Sequence, residues 1–167
     1  MNMTAVQLCK TCRKPKANYP CGICVEHVCK SCAHFMGEDS FSFLKKVPAD
    51  LKHQTYCSQC YDEKVATPYA EYNAIMEKAK EVIVFTKDRA KLTGHLKRKE
   101  DPVMVEDCED EDETLMRLAF FAAQEDFNCI LDVKITNRKI IVGSHKKTIF
   151  SGTAIPITID PSKVREY

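Results

Sequence analysis

The apolar positions of this chain fall into three regimes. Up to Cys60 aliphatic periodicity is sparse, and the regular feature is cysteine instead. A segment of that size buries only a small core and needs an added staple. Beyond it Tyr69, Tyr72, Met76, Ala79 and Ile83 recur at helical spacing with Glu and Lys between them. Thr67 reads as the N-cap and Pro68 as the first helical position, where a missing N–H costs nothing. This helix is expected to run to about Lys80 and give way to a strand over Val82–Thr86. Lys87–Asp101 is charged and open between a loop and an edge hairpin turning near Thr93-Gly94.

The third regime mixes both periods. Val103-Met104-Val105 predicts a short strand. The acidic run Glu106–Glu113, interrupted by Cys108, leads into a helix with Leu115, Leu118, Ala119 and Ala122 on its apolar face. Carboxylates in a first turn suit the positive end of the helix dipole, a bland role that outweighs catalysis or cation binding. Asn128 is expected to close this helix. A strand over Cys129–Ile135 follows, then a turn at Thr136-Asn137-Arg138 and a strand over Lys139–Val142. A second turn at Gly143-Ser144-His145 precedes a β-rich stretch from Thr148 to Ile159. Ile130, Val133 and Ile135 do not alternate cleanly, so this strand is buried on both faces or bulged. The fold class is α+β: a small cysteine-rich finger over 1–65, a connecting helix over 66–81, and a helix laid on a small antiparallel sheet over 82–167. The two parts are expected to touch through the Tyr69–Ile83 helix.

Composition places the chain among soluble globular proteins, with 44% hydrophobic and 29% charged residues. No apolar run approaches the roughly 20 residues of a membrane helix. Met1–Leu8 lacks the pattern of a secretory signal, so a cytoplasmic, reducing setting is the expectation. The net charge of +1 gives no argument for general nucleic-acid binding.

Eight of the ten cysteines form four Cys-x-x-Cys pairs: Cys9/Cys12, Cys21/Cys24, Cys29/Cys32 and Cys57/Cys60. Two sulfurs separated by two residues turn toward one ion, and two such knuckles complete a tetrahedron. Two structural zinc ions are therefore expected. Four thiolates close the coordination shell, which disfavours catalytic zinc, and no βαβ pattern surrounds the pairs to suggest a redox dithiol. The intervals between pairs are eight, four and twenty-four residues. They leave open both an interleaved cross-brace (pair one with three, two with four) and a sequential arrangement.

The run Cys-x2-Cys-x8-Cys-x2-Cys-x4-Cys-x2-Cys, closing in Tyr56-Cys57-Ser58-Gln59-Cys60-Tyr61, resembles the FYVE zinc-finger family over about residues 7–65. The four-residue gap Val25-Glu26-His27-Val28 belongs to the resemblance. It implies the cross-brace: Cys9, Cys12, Cys29 and Cys32 on one zinc, Cys21, Cys24, Cys57 and Cys60 on the other. The family's phosphatidylinositol 3-phosphate reading residues are missing. There is no Trp for its Trp-x-x-Asp motif, Asn18-Tyr19-Pro20-Cys21-Gly22 replaces the basic run, and Thr55-Tyr56-Cys57 stands where Arg-Val-Cys is usual. Residues 1–64 carry nine Lys/Arg and six Asp/Glu, and two tetrathiolate sites would bring that +3 to about −1. Lipid binding is not expected. RING fingers share the cross-brace but usually include a histidine ligand. Cysteine stands at all eight places here, leaving His27, His34 and His53 surplus.

Leu115–Ala119, Asp126–Val133 and Phe150-Ser151-Gly152-Thr153-Ala154 more weakly resemble the YbjQ-like family, called heavy-metal-binding, over about residues 103–160. That resemblance implies a fold and a homo-oligomer. Cys129 reads as a buried small hydrophobe, and Cys108, among carboxylates, as a thiol of raised pKa. The basic cluster Arg138, Lys139, His145, Lys146 and Lys147 reads as a solvated hairpin end. No phosphate loop, nucleophile elbow or His-Glu-x-x-His run occurs, so no enzyme is expected. The reading is a zinc-bearing interaction or scaffold protein whose partner is another protein, with no specific nucleic acid. The alternatives are a peripheral phosphoinositide-binding module and a metal-handling protein acting through its C-terminal domain.

Overall fold

The computed structural model describes residues 7–86, 99–160 and 162. The chain divides into two compact units, residues 1–73 and 74–167. The first is built from short pieces. β1 (Tyr19–Pro20) pairs antiparallel with β2 (His27–Val28), and β3 (Ala33–Phe35) with β4 (Thr55–Cys57). A 3-10 turn at Lys30–Cys32 and another at Ala49–Leu51 complete it. The buried centre holds Cys9, Ala17, Cys21, Val28, Cys57 and Cys60, so sulfur occupies the place of an aliphatic core. Phe41 sets its ring edge-on to Tyr69 and Tyr72, at 5.8 and 5.3 Å, and Phe43 N–H donates to the Tyr72 hydroxyl.

The helix does not begin at Thr67. Helical structure starts at Ser58, passes through a widened π-type turn at Tyr61–Val65, and continues as α1 (Ala66–Lys80). Pro68 therefore lies inside the helical run. Its ring and missing N–H are incompatible with a regular ladder to the preceding turn, and the π-type turn directly upstream is where such conflicts are absorbed. The start is instead capped by Cys57, whose sulfur accepts the Cys60 N–H at 3.4 Å.

The second unit is a four-stranded sheet with one helix against it. β5 (Ile83–Thr86), β6 (Val103–Cys108), β7 (Cys129–Val142) and β8 (His145–Ile157) lie in the order β5-β7-β8-β6. Two pairings are antiparallel, whereas β5 joins β7 in parallel. That arrangement needs a crossover, here the stretch carrying β6 and α2 (Glu111–Gln124). Residues 87–98, which hold most of the undecided Lys87–Asp101 segment, lie outside the described residues.

Asp110 caps α2 by accepting the Glu113 N–H at 2.7 Å, and Glu113 returns by accepting the Glu109 N–H at 2.6 Å. Asp110 and Glu113 of the acidic run thus work at the helix start, as a reciprocal cap. Leu118, Ala119, Phe120, Ala122 and Ala123 are buried along the helix. Gly152 of β8 sits beneath it, where the Thr114 methyl and Leu118 leave no room for a Cβ. Cys129, Leu131 and Ile157 form a further buried cluster with Ile83, Phe85, Ile155 and Ile159 packed around it.

Two expectations for this unit change. Asn128 does not close α2, which ends at Gln124. Its side-chain amide accepts from Ile159 N–H and donates to Ile159 O, at 2.9 and 2.8 Å, copying a strand pairing. Thr136-Asn137-Arg138 is no turn either. These residues pair with Ser151, Phe150 and Ile149, so β7 and β8 form one long hairpin closed by Gly143-Ser144. A strand accepts such polar residues where its faces are solvated. The irregular apolar spacing does mark a bulge, between Leu131 and Lys134, with Asp132 at φ 52.

Candidate metal centre

The first three knuckles are turns closed by their own backbone. Arg13 N–H returns to Cys9 O and Val25 N–H to Cys21 O, both at 2.9 Å. In these two pairs the residue after the second cysteine swings to positive φ, 61 at Arg13 and 65 at Val25. For a β-branched valine that is a strained conformation. In the third knuckle Cys32 N–H donates to Cys29 O at 3.0 Å. The fourth uses the helix start, Cys57 being the cap and Cys60 ending the first turn.

Two backbone hydrogen bonds decide which knuckles meet. Lys10 N–H donates to His27 O at 3.0 Å, tying the first knuckle to the strand that leads into Cys29. Gly22 N–H donates to Thr55 O at 2.8 Å, tying the second to the strand that ends in Cys57. In the β3–β4 register Ala33 lies opposite Cys57, which sets the third and fourth pairs on either side of one ladder. The result is interleaved. Cys9, Cys12, Cys29 and Cys32 form one group and Cys21, Cys24, Cys57 and Cys60 the other, with sulfurs inside each group all within 4.8 Å of one another.

These groups fit a tetrahedral thiophilic ion. A zinc–sulfur distance of about 2.3 Å places tetrahedral sulfurs about 3.8 Å apart. The sulfur of Cys12 lies 3.7 Å from that of Cys29, and the sulfur of Cys24 lies 3.8 Å from that of Cys57. Both distances cross between knuckles, which is where an ion would hold them. Every donor is a cysteine, and soft thiolates select zinc-like metals.

The electrostatics say why a cation belongs there. Cys9 is lowered to about 6, chiefly by the Cys12 N–H, against its burial. Burial raises Cys21, but the N–H groups of Cys24, Cys57 and Ile23 outweigh it and bring that thiol to about 6. Cys32 is pushed up to about 12 by hydrogen bonding with the Cys29 and Cys12 thiols. Burial pushes Cys57 and Cys60 up as well. Some sulfurs of each group thus ionise readily while their neighbours hold protons. Four anions at such separations need a positive ion among them. Lys10 donates to the Cys24 sulfur at 3.5 Å, and that bond raises its own pKa. A residue of the first knuckle thereby offsets charge at the second group.

The histidines stay outside both groups. His34 stacks on Tyr61 at 4.1 Å with the rings 8° from parallel, and His27 meets Gln7 at 3.2 Å. His53 covers Gly22, where a Cβ would collide with its side chain, and its N–H donates to the Tyr56 hydroxyl at 3.1 Å. Spacing did not reveal the parts of Gly22, His53 and Lys10; their signal is adjacency to a cysteine or to the closing Tyr-Cys. Cys108 and Cys129 lie far from this chemistry in sequence and are both buried. Burial raises Cys108, more than the carboxylates around it do, and pushes Cys129 up to about 12.

No helix among the described residues is long and apolar enough to cross a membrane. Comparison of the chain with protein families, with curated proteins and with solved structures finds no match.

Proposed function

We propose that the chain is a non-catalytic interaction protein whose finger folds around two structural zinc ions in a FYVE-like cross-brace. The observation that carries this is the pair of interleaved four-cysteine groups with sulfur separations matching a tetrahedral ion. Bound zinc would supply a fixed dication in each group. Its contribution to folding is on the order of 10 kcal/mol, in a unit with little aliphatic core. With four thiolates around it the ion has no open position for water, so its role is architectural. Thiolate ligation also suits the reducing cytoplasm.

The finger presents apolar groups outward. Phe35 is half exposed and packs edge-on against Tyr19 at 5.0 Å, while Leu8 and Val25 are also exposed. Exposed aromatics of this kind suit a protein partner. The reading rests on metal analysis of protein purified without added zinc. Two zinc ions per chain are expected, together with loss of structure in residues 1–65 on strong chelation while residues 82–167 stay folded. Fewer than one zinc per chain, or a finger that folds equally well without it, would overturn the reading.

A further inference from the structure

The β7–β8 hairpin outgrows its sheet. Among the described residues β5 pairs with β7 only as far as Val133, and β6 with β8 only from Phe150 onward. From Arg138–Ile149 to Val142–His145 the two strands pair, among the described residues, with each other alone, an arm about 17 Å long at about 3.3 Å per residue. Residues 136–147 are exposed on both faces except for half-buried Ile140. A free ribbon normally carries polar side chains. This one carries Ile141 at 75% and Val142 at 56% exposure, next to its closing turn.

Charge along the arm is sorted by face. Residues 138–147 hold Arg138, Lys139, Lys146 and Lys147 and no acidic residue. Arg138 pairs with Asp107 and Lys147 with Glu109, both at 3.0 Å, and by strand alternation both bases lie on the Val142–His145 face. Lys139 and Lys146 make no ion pair among the described residues. By strand alternation and the Ile141–Lys146 register, these two lysines share a face with Ile141. Val142 and His145 face each other across the last pair before the turn.

We propose that this arm is a membrane-contacting element that inserts Ile141 and Val142 into the interface of an anionic bilayer, with Lys139 and Lys146 meeting the lipid headgroups. Lysines beside an inserted aliphatic keep their ammonium groups at headgroup level while their stems lie along the apolar region. The carboxylates of Asp107 and Glu109 are engaged by Arg138 and Lys147, which by the same alternation lie on the opposite face, so the Ile141 face meets the headgroups with Lys139 and Lys146 and no acidic residue of the arm. A nucleic-acid groove would take the ribbon along its length and bring those carboxylates against phosphates. The arm also offers no Phe, Tyr or Trp between 136 and 147 on which bases could stack. The element is independent of the zinc reading and involves none of the finger's residues.

The test uses the full zinc-loaded chain with vesicles of phosphatidylcholine alone or mixed with phosphatidylserine. Each lysine is worth about fivefold in partitioning to the anionic surface, so binding is expected to rise roughly tenfold or more with phosphatidylserine. The double variant Lys139→Glu/Lys146→Glu should abolish that preference, and Ile141→Ser/Val142→Ser should weaken binding at fixed charge. Because the chain has no Trp, Val142→Trp reports insertion directly: its emission should shift to the blue, and lipids brominated on their chains should quench it. Equal binding to both vesicles, no change in the serine variant, or an unshifted Trp would overturn the proposal. So would a stronger response of the Trp to duplex DNA than to vesicles, which would make nucleic acid the partner.

Discussion

Cys57 and Cys60 are joined by a bond that serves two structures at once: the Cys60 N–H points at the Cys57 sulfur, 3.4 Å away. The sulfur belongs to the second four-cysteine group and also caps the helical run that ends at Lys80. A thiolate accepting a backbone N–H at a helix start is stabilised by that bond and by the helix dipole.

Cys57→Ser and Cys57→Ala separate the two roles. Serine keeps a capping oxygen, worth about 1 kcal/mol, but is a poor zinc ligand. If metal dominates, both variants should drop from two zinc ions to one and lose finger structure to the same extent, by metal analysis and far-UV circular dichroism. A serine variant that retained two ions would show that the sulfur is only a cap.

Gly22 and His53 make a second test. The His53 side chain occupies the position a Cβ on residue 22 would need. Gly22→Ala should therefore destabilise the finger by about 1–3 kcal/mol, the range for overpacking. Because the clash involves both the Cβ and the ring of His53, Gly22→Ala/His53→Gly should recover part of that loss. Strict additivity of the two substitutions in thermal unfolding would mean that they do not compete for space.

The sequence made the eight sulfurs legible because metal ligation needs few residues at fixed spacing. Their pairing was not legible from spacing alone. It depends on where Lys10 and Gly22 donate their backbone N–H groups, and a backbone bond leaves no side-chain signature. The helix start was misplaced for a related reason. Thr67-Pro68 carries the local signals of a beginning, but Cys57 and Cys60 start the helix ten residues earlier and a π-type turn accommodates the proline. Thr136-Asn137-Arg138 likewise has turn-prone residues that pairing with Ser151, Phe150 and Ile149 overrides. The bulge, by contrast, was one of the two readings that the broken alternation of Ile130, Val133 and Ile135 left open, the other being burial on both faces.

Cys129 should give the second unit an alkaline limit. The thiol is fully buried and its pKa is pushed up from 9.0 to about 12. A raised acid favours the neutral form in the fold, so its contribution is whole below about pH 9. Between 9 and 12 the unfolded chain gains by ionising first, and stability falls by about 1.4 kcal/mol per pH unit. Cys129→Val should flatten this decline in denaturant titrations of the full chain. An unchanged alkaline slope would place the titrating group elsewhere.

Phosphoinositide selectivity is where the cysteine pattern and its surroundings part. FYVE-like spacing alone leads to phosphatidylinositol 3-phosphate, but recognising a phosphate takes convergent charged donors, each worth roughly 1.5–3 kcal/mol. Around the second knuckle stand Asn18, Tyr19 and Pro20, and Thr55 precedes the last. Arg13, Lys14 and Lys16 are exposed, and Arg13 and Lys16 take positive φ. With zinc bound the finger's formal charge is about −1, the nine basic and six acidic residues of 1–64 offset by two dianionic sites. At about 0.15 M salt, vesicles carrying phosphatidylinositol 3-phosphate should therefore bind the chain no better than phosphatidylserine vesicles of equal charge. Replacing Arg13, Lys14 and Lys16 with alanine should leave that binding unchanged. Preference for the phosphoinositide at matched charge, lost on replacing those three residues, would show that the finger reads the headgroup with a donor set different from the one its spacing suggests.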